Sequence, residues 1–461
     1  MKTFKNYINE INGLRFIYEN LKLNSSIGRK FLLNQKFITD ETILNNEFNN
    51  LSAIYNIVNT HPDIVKKICS ILENINDIHS SINNLSKEHI LDDIELFEIK
   101  KFSILCQKII NELSIINFDA LTLHDLKDVI NILDPENTGI PSFYIYSIYD
   151  SQLAELRKKQ KEVKKNDLES SEKLRLKSEE IEDKIRKKLS YELSKYAIYL
   201  QTNLNNLSYL DVLIAKSIQA NEFNLCKPSF SIHEIEYQKL FNPQVKCILN
   251  SQSKTFQPID IKLVNQPVLI TGANMSGKTV LLKTIALSQY MFQFGFFIPA
   301  GSAKISIFDE IMLNIGDSQS ELNGLSSFAV EMLNINNIIS EIKKTKKLLV
   351  IIDELARTTN PYEGKAIVSA FIEIMSKYNT TSIITTHYSI EDIYTRRLRV
   401  KGLTNINIED KITVNNINDF MDYSLEEVFE ENVPTEALKI AEILGLDEEL
   451  VNNAKNKIHK L

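Results

Sequence analysis

Residues Gly272, Ala273, Asn274, Met275, Ser276, Gly277, Lys278 and Thr279 follow the pattern GxxxxGK[ST], that of a loop cradling nucleotide phosphates. The two glycines let backbone N–H groups converge on phosphate oxygens, and a helix starting where the loop ends adds its partial positive charge. Lys278 is expected to reach the β- and γ-phosphates of ATP, and Thr279 to ligate Mg2+. Asn274 is placed to touch the γ-phosphate or the attacking water. A second run, Leu348 to Ile352, is wholly apolar and empties into Asp353 and Glu354, the form of a Walker B strand. There Asp353 would hold the magnesium through water, and Glu354 would orient and polarise the attacking water. A third run, residues 382–386, ends at His387. That histidine reads either as a sensor of the γ-phosphate or as an ordinary core or surface residue.

These side chains need elements to hold them. Residues 267–270 form an apolar strand running into Gly272, and 280–287 are helical in pattern, so strand, glycine loop and helix arrive in the required order. Further β-rich runs at 245–249, 259–263, 268–270, 348–352 and 382–385 are separated by helical segments, which predicts an α/β domain with a largely parallel sheet. Ahead of about residue 220 the pattern is helical, with Ile64, Ile68, Ile71, Leu72 and Ile75 three and four apart. Pro135, Gly139 and Pro141 mark a loop within it.

Residues 149–200 read as one long helix or a helical pair. Leu153, Leu156, Val163, Leu174, Ile181, Ile185 and Leu189 form a heptad-like seam interrupted at 166–171, which fits an antiparallel hairpin. Two readings stand: an arm reaching a partner, or a solvated pair packed on its own domain. The mixed charges give no preference for DNA. The last stretch, 435–461, returns to amphipathic helix, with Gly445 ending one helix and Asp447 capping the next.

The 461 residues bear a net charge of -7 and are 43% hydrophobic and 25% charged, with 12 Gly and 10 Pro. That is a globular, helix-rich composition rather than a disordered one, and too long for one simple domain. The acidic balance argues against a protein that coats nucleic acid, though not against a local basic groove. Cys69, Cys106, Cys226 and Cys247 stand far apart with no metal spacing and read as thiols in a reducing compartment. No run approaches the roughly 18 apolar residues of a membrane span, and the first residues carry charges where a signal peptide is apolar. The sequence thus predicts a cytoplasmic protein with no membrane partner.

Four ordered motifs resemble the MutS-type ATPases. Residues 271–279, with Asn274 and Met275 after the first glycine pair, are similar to that family's P-loop. Residues 353–364 resemble its Asp-Glu-Ile-Gly-Arg-Gly-Thr-Ser-Thr-Tyr-Asp-Gly, 385–388 its Ala-Thr-His-Tyr, and 326–332 its Ser-Thr-Phe-Met-Val-Glu-Met. The resemblance implies an α-helical core and lever domain followed by an α/β P-loop (ABC-type) ATPase domain with a C-terminal helical dimerisation tail. The corresponding segments are 1–50 (N-terminal helical), 51–220 (core and lever), 221–430 (P-loop domain) and 431–461 (helix-turn-helix tail). It implies a homodimer, or a heterodimer with a MutS-like paralogue, whose composite sites bind ATP and Mg2+. Ser326 and Ser327 would then approach the γ-phosphate in trans, with helix capping as the competing role. Phe256 sits where the family stacks an aromatic on the adenine, and fits a core position equally well.

The sequence also departs from the family. Only about 50 residues precede the helical core, and no Phe-x-Glu reader or inserted clamp is evident, so direct mismatch reading is not expected. After Walker B, Ala356, Arg357, Thr358, Thr359, Asn360 and Pro361 replace a glycine-bearing loop, which stiffens it. This variant is similar to short MutS-like ATPases associated with cobalamin-dependent aminomutases. Two partners are therefore open: a protein, such as an aminomutase reactivated by the ATP cycle, or damaged or branched duplex DNA.

Overall fold

In the computed structural model the described residues are 2–458 without 117, 119–120, 141, 163–167, 274–275, 316–326, 345, 389, 391–394, 404–416, 430–437, 439–440 and 443–444. The chain forms two compact units, one of residues 1–5, 21–36 and 49–219, the other of 6–20, 37–48 and 220–461. Residues 1–50, read above as a single N-terminal segment, are thus shared out between them.

The first unit is helical. Its helices include α1 (Ser26–Asn34), α2 (Asp93–Ile115), α3 (Ser151–Glu162), α4 (Leu168–Ser194) and most of α5 (Ala197–Phe223). Ser25 caps α1 by accepting from Gly28 N at 3.0 Å. The fully buried Asp211 on α5 accepts from Asn24 N, Asn24 Nδ2, Ser25 N and Ser25 Oγ at 2.5 to 3.0 Å. α2 begins on a reciprocal capping box between Asp92 and Glu95. Lys100 on the same helix is buried against Asp134 (3.1 Å), Ser142 O and Tyr146 Oη (both 2.9 Å), which anchors the loop carrying Gly139. α3 and α4 pair antiparallel: Arg157 meets Glu182 at 2.8 Å and Gln160 meets Ser178 at 3.1 Å.

The second unit holds two sheets. Strands β1 (Ser229–Ser231), β2 (Glu234–Leu240), β3 (Ile259–Val264) and β5 (Ser302–Ser306) form one, in the order β1-β5-β2-β3. The other contains β4 (Pro267–Thr271), β6 (Glu310–Asn314), β7 (Leu348–Ile352), β8 (Thr381–Thr385), β9 (Arg396–Leu403) and β10 (Met421–Glu427), ordered β10-β9-β4-β8-β7-β6. Its pairings are all parallel except β10 on β9. Four helices matter here: α6 (Pro243–Ser251), α7 (Lys278–Gln293), α8 (Ser327–Ile342) and α9 (Pro361–Lys377). Every residue of β7 and β8 is buried, as apolar runs covered on both faces require. Leu269, Val350, Ile352 and Ile384 pack with Ile335, Ile338, Phe371 and Met375 into one core. Tyr7 and Phe37 join Tyr290 and Phe294 of α7 in an aromatic cluster with centroids 5.0 to 6.0 Å apart.

One expectation fails. Residues 245–249 are helix α6 rather than strand: Asn242 caps it by accepting from Val245 N at 3.2 Å, and Pro243 takes the first turn, where its missing N–H costs nothing. Those cues outweigh a short apolar run. The tail cap behaves as read, with Leu450 N donating to Asp447 Oδ1 at 3.1 Å ahead of the helix Glu448–Ile458, and with Gly445 in the left-handed region at φ 80°.

Candidate functional site

The phosphate-type loop joins β4 to α7, the turn that a parallel α/β sheet opens at the carboxyl ends of its strands. Gly272 has φ 150° and Gly277 φ 82°, conformations that a side chain resists. A Cβ on Gly272 would lie 2.9 Å from Ser276 Oγ. The Ser276 hydroxyl is buried and has no hydrogen-bond partner among the described residues. Lys278 is 6% exposed and donates to Gly272 O at 2.7 Å and Ala273 O at 2.9 Å, folded back over its own loop. Burial lowers its pKa, against the pull of Glu354 and Asp353. Asn274 and Met275 lie outside the described residues.

Strand order brings the acids to this loop. β8 lies between β4 and β7, so Asp353, one residue past β7, faces both flanking elements. It accepts from Thr279 Oγ1 at 2.6 Å and from Thr385 Oγ1 of β8 at 2.7 Å. Its own N–H donates to Asn314 O at 2.8 Å, which fixes where β7 ends. This pair of contacts ties the first turn of α7 and the end of β8 to the end of β7.

Glu354 comes next, with φ 53°, and Ala356 follows with φ 59°. Two non-glycine residues in the left-handed region cost on the order of 1–3 kcal/mol each, and persist only when their surroundings enforce them. The surroundings are specific. Glu354 N donates to Thr385 Oγ1 at 2.7 Å, His387 Nε2 lies 2.6 Å from Glu354 Oε1, and Arg357 donates to Glu354 Oε2 at 2.5 Å. Burial alone would raise the Glu354 carboxyl, but the hydrogen bonds from Arg357 and His387 outweigh it and hold the pKa below the ordinary value. Ala356 N donates to Glu331 Oε1 of α8 at 2.8 Å, and Ala356 O accepts from Tyr388 Oη at 2.7 Å.

Beside the first turn of α7 lies a cavity of about 410 Å³, a size common for small-ligand pockets. Its walls include Val245 and Leu249 of α6, Phe256, Ile259, Val280 and Tyr423. Tyr423 also approaches the loop, where a Cβ on Gly277 would stand 3.0 Å from its ring. Gln257 holds Tyr423 in place, with Nε2 donating to Asp422 at 2.7 Å and Oε1 accepting from Tyr423 N at 3.0 Å.

Residues 268–461 match the family model for MutS domain V. Over 288 residues the chain is 31% identical to a DNA mismatch repair protein MutS of Clostridium kluyveri, covering 61% of this chain and 31% of that protein. It is 31% identical over 291 residues to an Endonuclease MutS2 of Caldanaerobacter subterraneus subsp. tengcongensis, covering 61% and 34%. It is 34% identical over 210 residues to a DNA mismatch repair protein MutS of Bacillus subtilis, covering 45% and 24%. Residues 268–461 are thus similar to domain V of the MutS proteins.

The matched stretch spans about a third or less of the length of these curated relatives. Within the matched stretch Thr279 meets Asp353, His387 meets Glu354, and Lys278 feels both carboxylates. Phe256 lines the cavity beside the loop. Ser327 opens α8, while Ser326 lies outside the described residues. Sequence reasoning passed over Thr385, Arg357, Glu331, Tyr388 and Tyr423. The first four stand inside the quoted motifs, so proximity to a motif was the available signal; nothing local marks Tyr423. An aminomutase partner finds no support in these relatives, whose names refer to DNA mismatch repair and to an endonuclease.

Proposed function

We propose that this chain binds ATP with Mg2+ at residues 272–279, hydrolyses it, and uses the cycle to act on duplex DNA as a dimer. The observation that carries the reading is the convergence of Thr279 and Thr385 on Asp353, next to a lysine folded over a glycine loop. The Ser276 hydroxyl, buried with no hydrogen-bond partner among the described residues, suits a phosphate oxygen. Thr279 and Asp353 would hold the magnesium, which when bound neutralises phosphate charge. Lys278 exchanges its two loop carbonyls for phosphate oxygens. Phe256 and Tyr423 offer apolar faces to the base, with Gln257 fixing the tyrosine.

Glu354 acts on water. Its carboxylate is ionised at neutral pH, since its pKa is held below the ordinary value, and His387 at 2.6 Å would orient it and meet the terminal phosphate. The dimer, with Ser326 and Ser327 completing the partner's site, follows from the family resemblance. Duplex DNA is preferred over a protein partner because the relatives are named for DNA mismatch repair.

The test uses the full chain with ATP and Mg2+. Turnover should be measurable and should vanish with nucleotide binding in Lys278→Ala; turnover surviving that substitution overturns the site. Duplex or branched DNA should raise the rate, with an effect that falls steeply as salt rises. DNA that leaves both turnover and electrophoretic mobility unchanged at low salt removes it as the partner.

A further inference from the structure

The turn that carries Glu354 is gripped from both sides of one residue. At Ala356, the N–H is held by Glu331 Oε1 at 2.8 Å and the carbonyl by Tyr388 Oη at 2.7 Å. The grip sits on a backbone in the left-handed region at both Glu354 and Ala356, a conformation that relaxes unless something restrains it. Ala356 is fully buried, so its peptide groups have no water to turn to. Tyr388 reaches its place because Gly364 on α9 has no side chain: a Cβ there would stand 2.4 Å from the phenol Cζ and Oη. Glu331 stands four residues into α8 from Ser327, one turn along the helix that opens at the signature loop.

We propose that Glu331 and Tyr388 are positioning residues. Together they hold Ala356 in its strained turn and so aim the Glu354 carboxylate at the reacting water, and Glu331 ties that aim to the seating of α8. Neither touches nucleotide in this account; they act through Glu354. The proposal rests on Glu354 being the base. A shift of α8 reaches that base through the Glu331 carboxylate, which gives the signature helix a route to the chemistry inside one subunit.

The experiment is steady-state ATP turnover by the full chain, with ADP binding measured alongside. Glu331→Ala and Tyr388→Phe should each lower kcat about tenfold while KM for ATP and ADP affinity stay within about twofold. Glu331→Gln keeps an oxygen that can accept from Ala356 N–H and should restore most of the rate. Ala356→Gly is the decisive second substitution. Glycine adopts φ near 59° at no steric cost, so adding it to Glu331→Ala should recover at least half of the lost kcat. Loss of kcat and nucleotide affinity together, or a glycine that deepens the defect, overturns the proposal and makes Glu331 a packing residue. Glu354→Gln separates the two readings. Full turnover in that variant refutes the base assignment itself, whereas a dead Glu354→Gln beside unimpaired Glu331→Ala and Tyr388→Phe refutes only the grip.

Discussion

Gly364→Ala gives a sharp quantitative expectation, because the structure states what the added methyl meets. Gly364 lies in α9, where alanine is the better helix former by about 1 kcal/mol. The new Cβ would lie 2.4 Å from Tyr388 Cζ and Oη and 2.7 Å from Cε2, so the ring must move. Tyr388 packs against the core that includes Val368 and Phe371, and forcing extra volume into such a site costs about 1–3 kcal/mol. Displacing the phenol also breaks its 2.7 Å bond to Ala356 O, a further loss of about 1 kcal/mol. The net is destabilisation of about 1–3 kcal/mol. With Tyr388→Ala in place the obstruction is gone, only the helix preference remains, and the same substitution should stabilise by about 1 kcal/mol. Urea unfolding followed by circular dichroism, compared at unchanged m-value, reads both arms. An effect of the same sign and size in the two backgrounds would refute the claim that Tyr388 is what keeps residue 364 bare.

Other substitutions test the rest of the account. Glu354→Gln should cut turnover by about 10²–10⁴-fold with ATP affinity retained, read by single-turnover hydrolysis beside equilibrium binding. Because the Glu354 pKa is depressed below its ordinary 4.5, the carboxylate's contacts stabilise the fold above that pH and lose their contribution as acid carries the pH through the lower folded value. The stability gap between wild type and Glu354→Gln should therefore narrow as pH falls through that window. In the helical unit, Gly28→Ala would push a Cβ to 2.3 Å from Asp211 Oδ2 and disperse the four hydrogen bonds gathered there. A loss of about 3 kcal/mol is expected by chemical denaturation. Thiol labelling at pH 8 should modify the exposed Cys247 first, whereas Cys106, buried and pushed up to about 12, should react only on unfolding.

How much of this was legible beforehand follows from how local each signal is. The glycine loop, the apolar strand ending in two acids and the strand ending at His387 are short, contiguous patterns, and the sheet places them together because each strand's carboxyl end opens on the same side. Residues 245–249 were misread because a mostly apolar run of five, broken by Lys246, has no period of its own, although Asn242 and Pro243 ahead of it spelled a helix start. The left-handed turn at Glu354 and Ala356 was hidden, since alanine advertises no positive φ. Its enforcement by Glu331 and Tyr388 depends on contacts 25 and 32 residues away in sequence. The assignment of residues 6–20 and 37–48 to the second unit was equally out of reach, because only tertiary packing places Tyr7 and Phe37 against α7.

That last arrangement bears on biosynthesis. Tyr7 waits for Tyr290, which emerges 283 residues later (290 minus 7) and whose ring it meets at 5.0 Å. At translation rates of about 5–20 residues per second the interval is on the order of 15–60 s. During it the apolar faces around Tyr7 and Phe37 have no aromatic cluster to join, while the helical segments encoded between them can already collapse. The nascent chain therefore carries an exposed early segment through most of its synthesis. Slow codons or chaperone occupancy over residues 50–265 should influence the yield of native protein more than changes near the nucleotide loop.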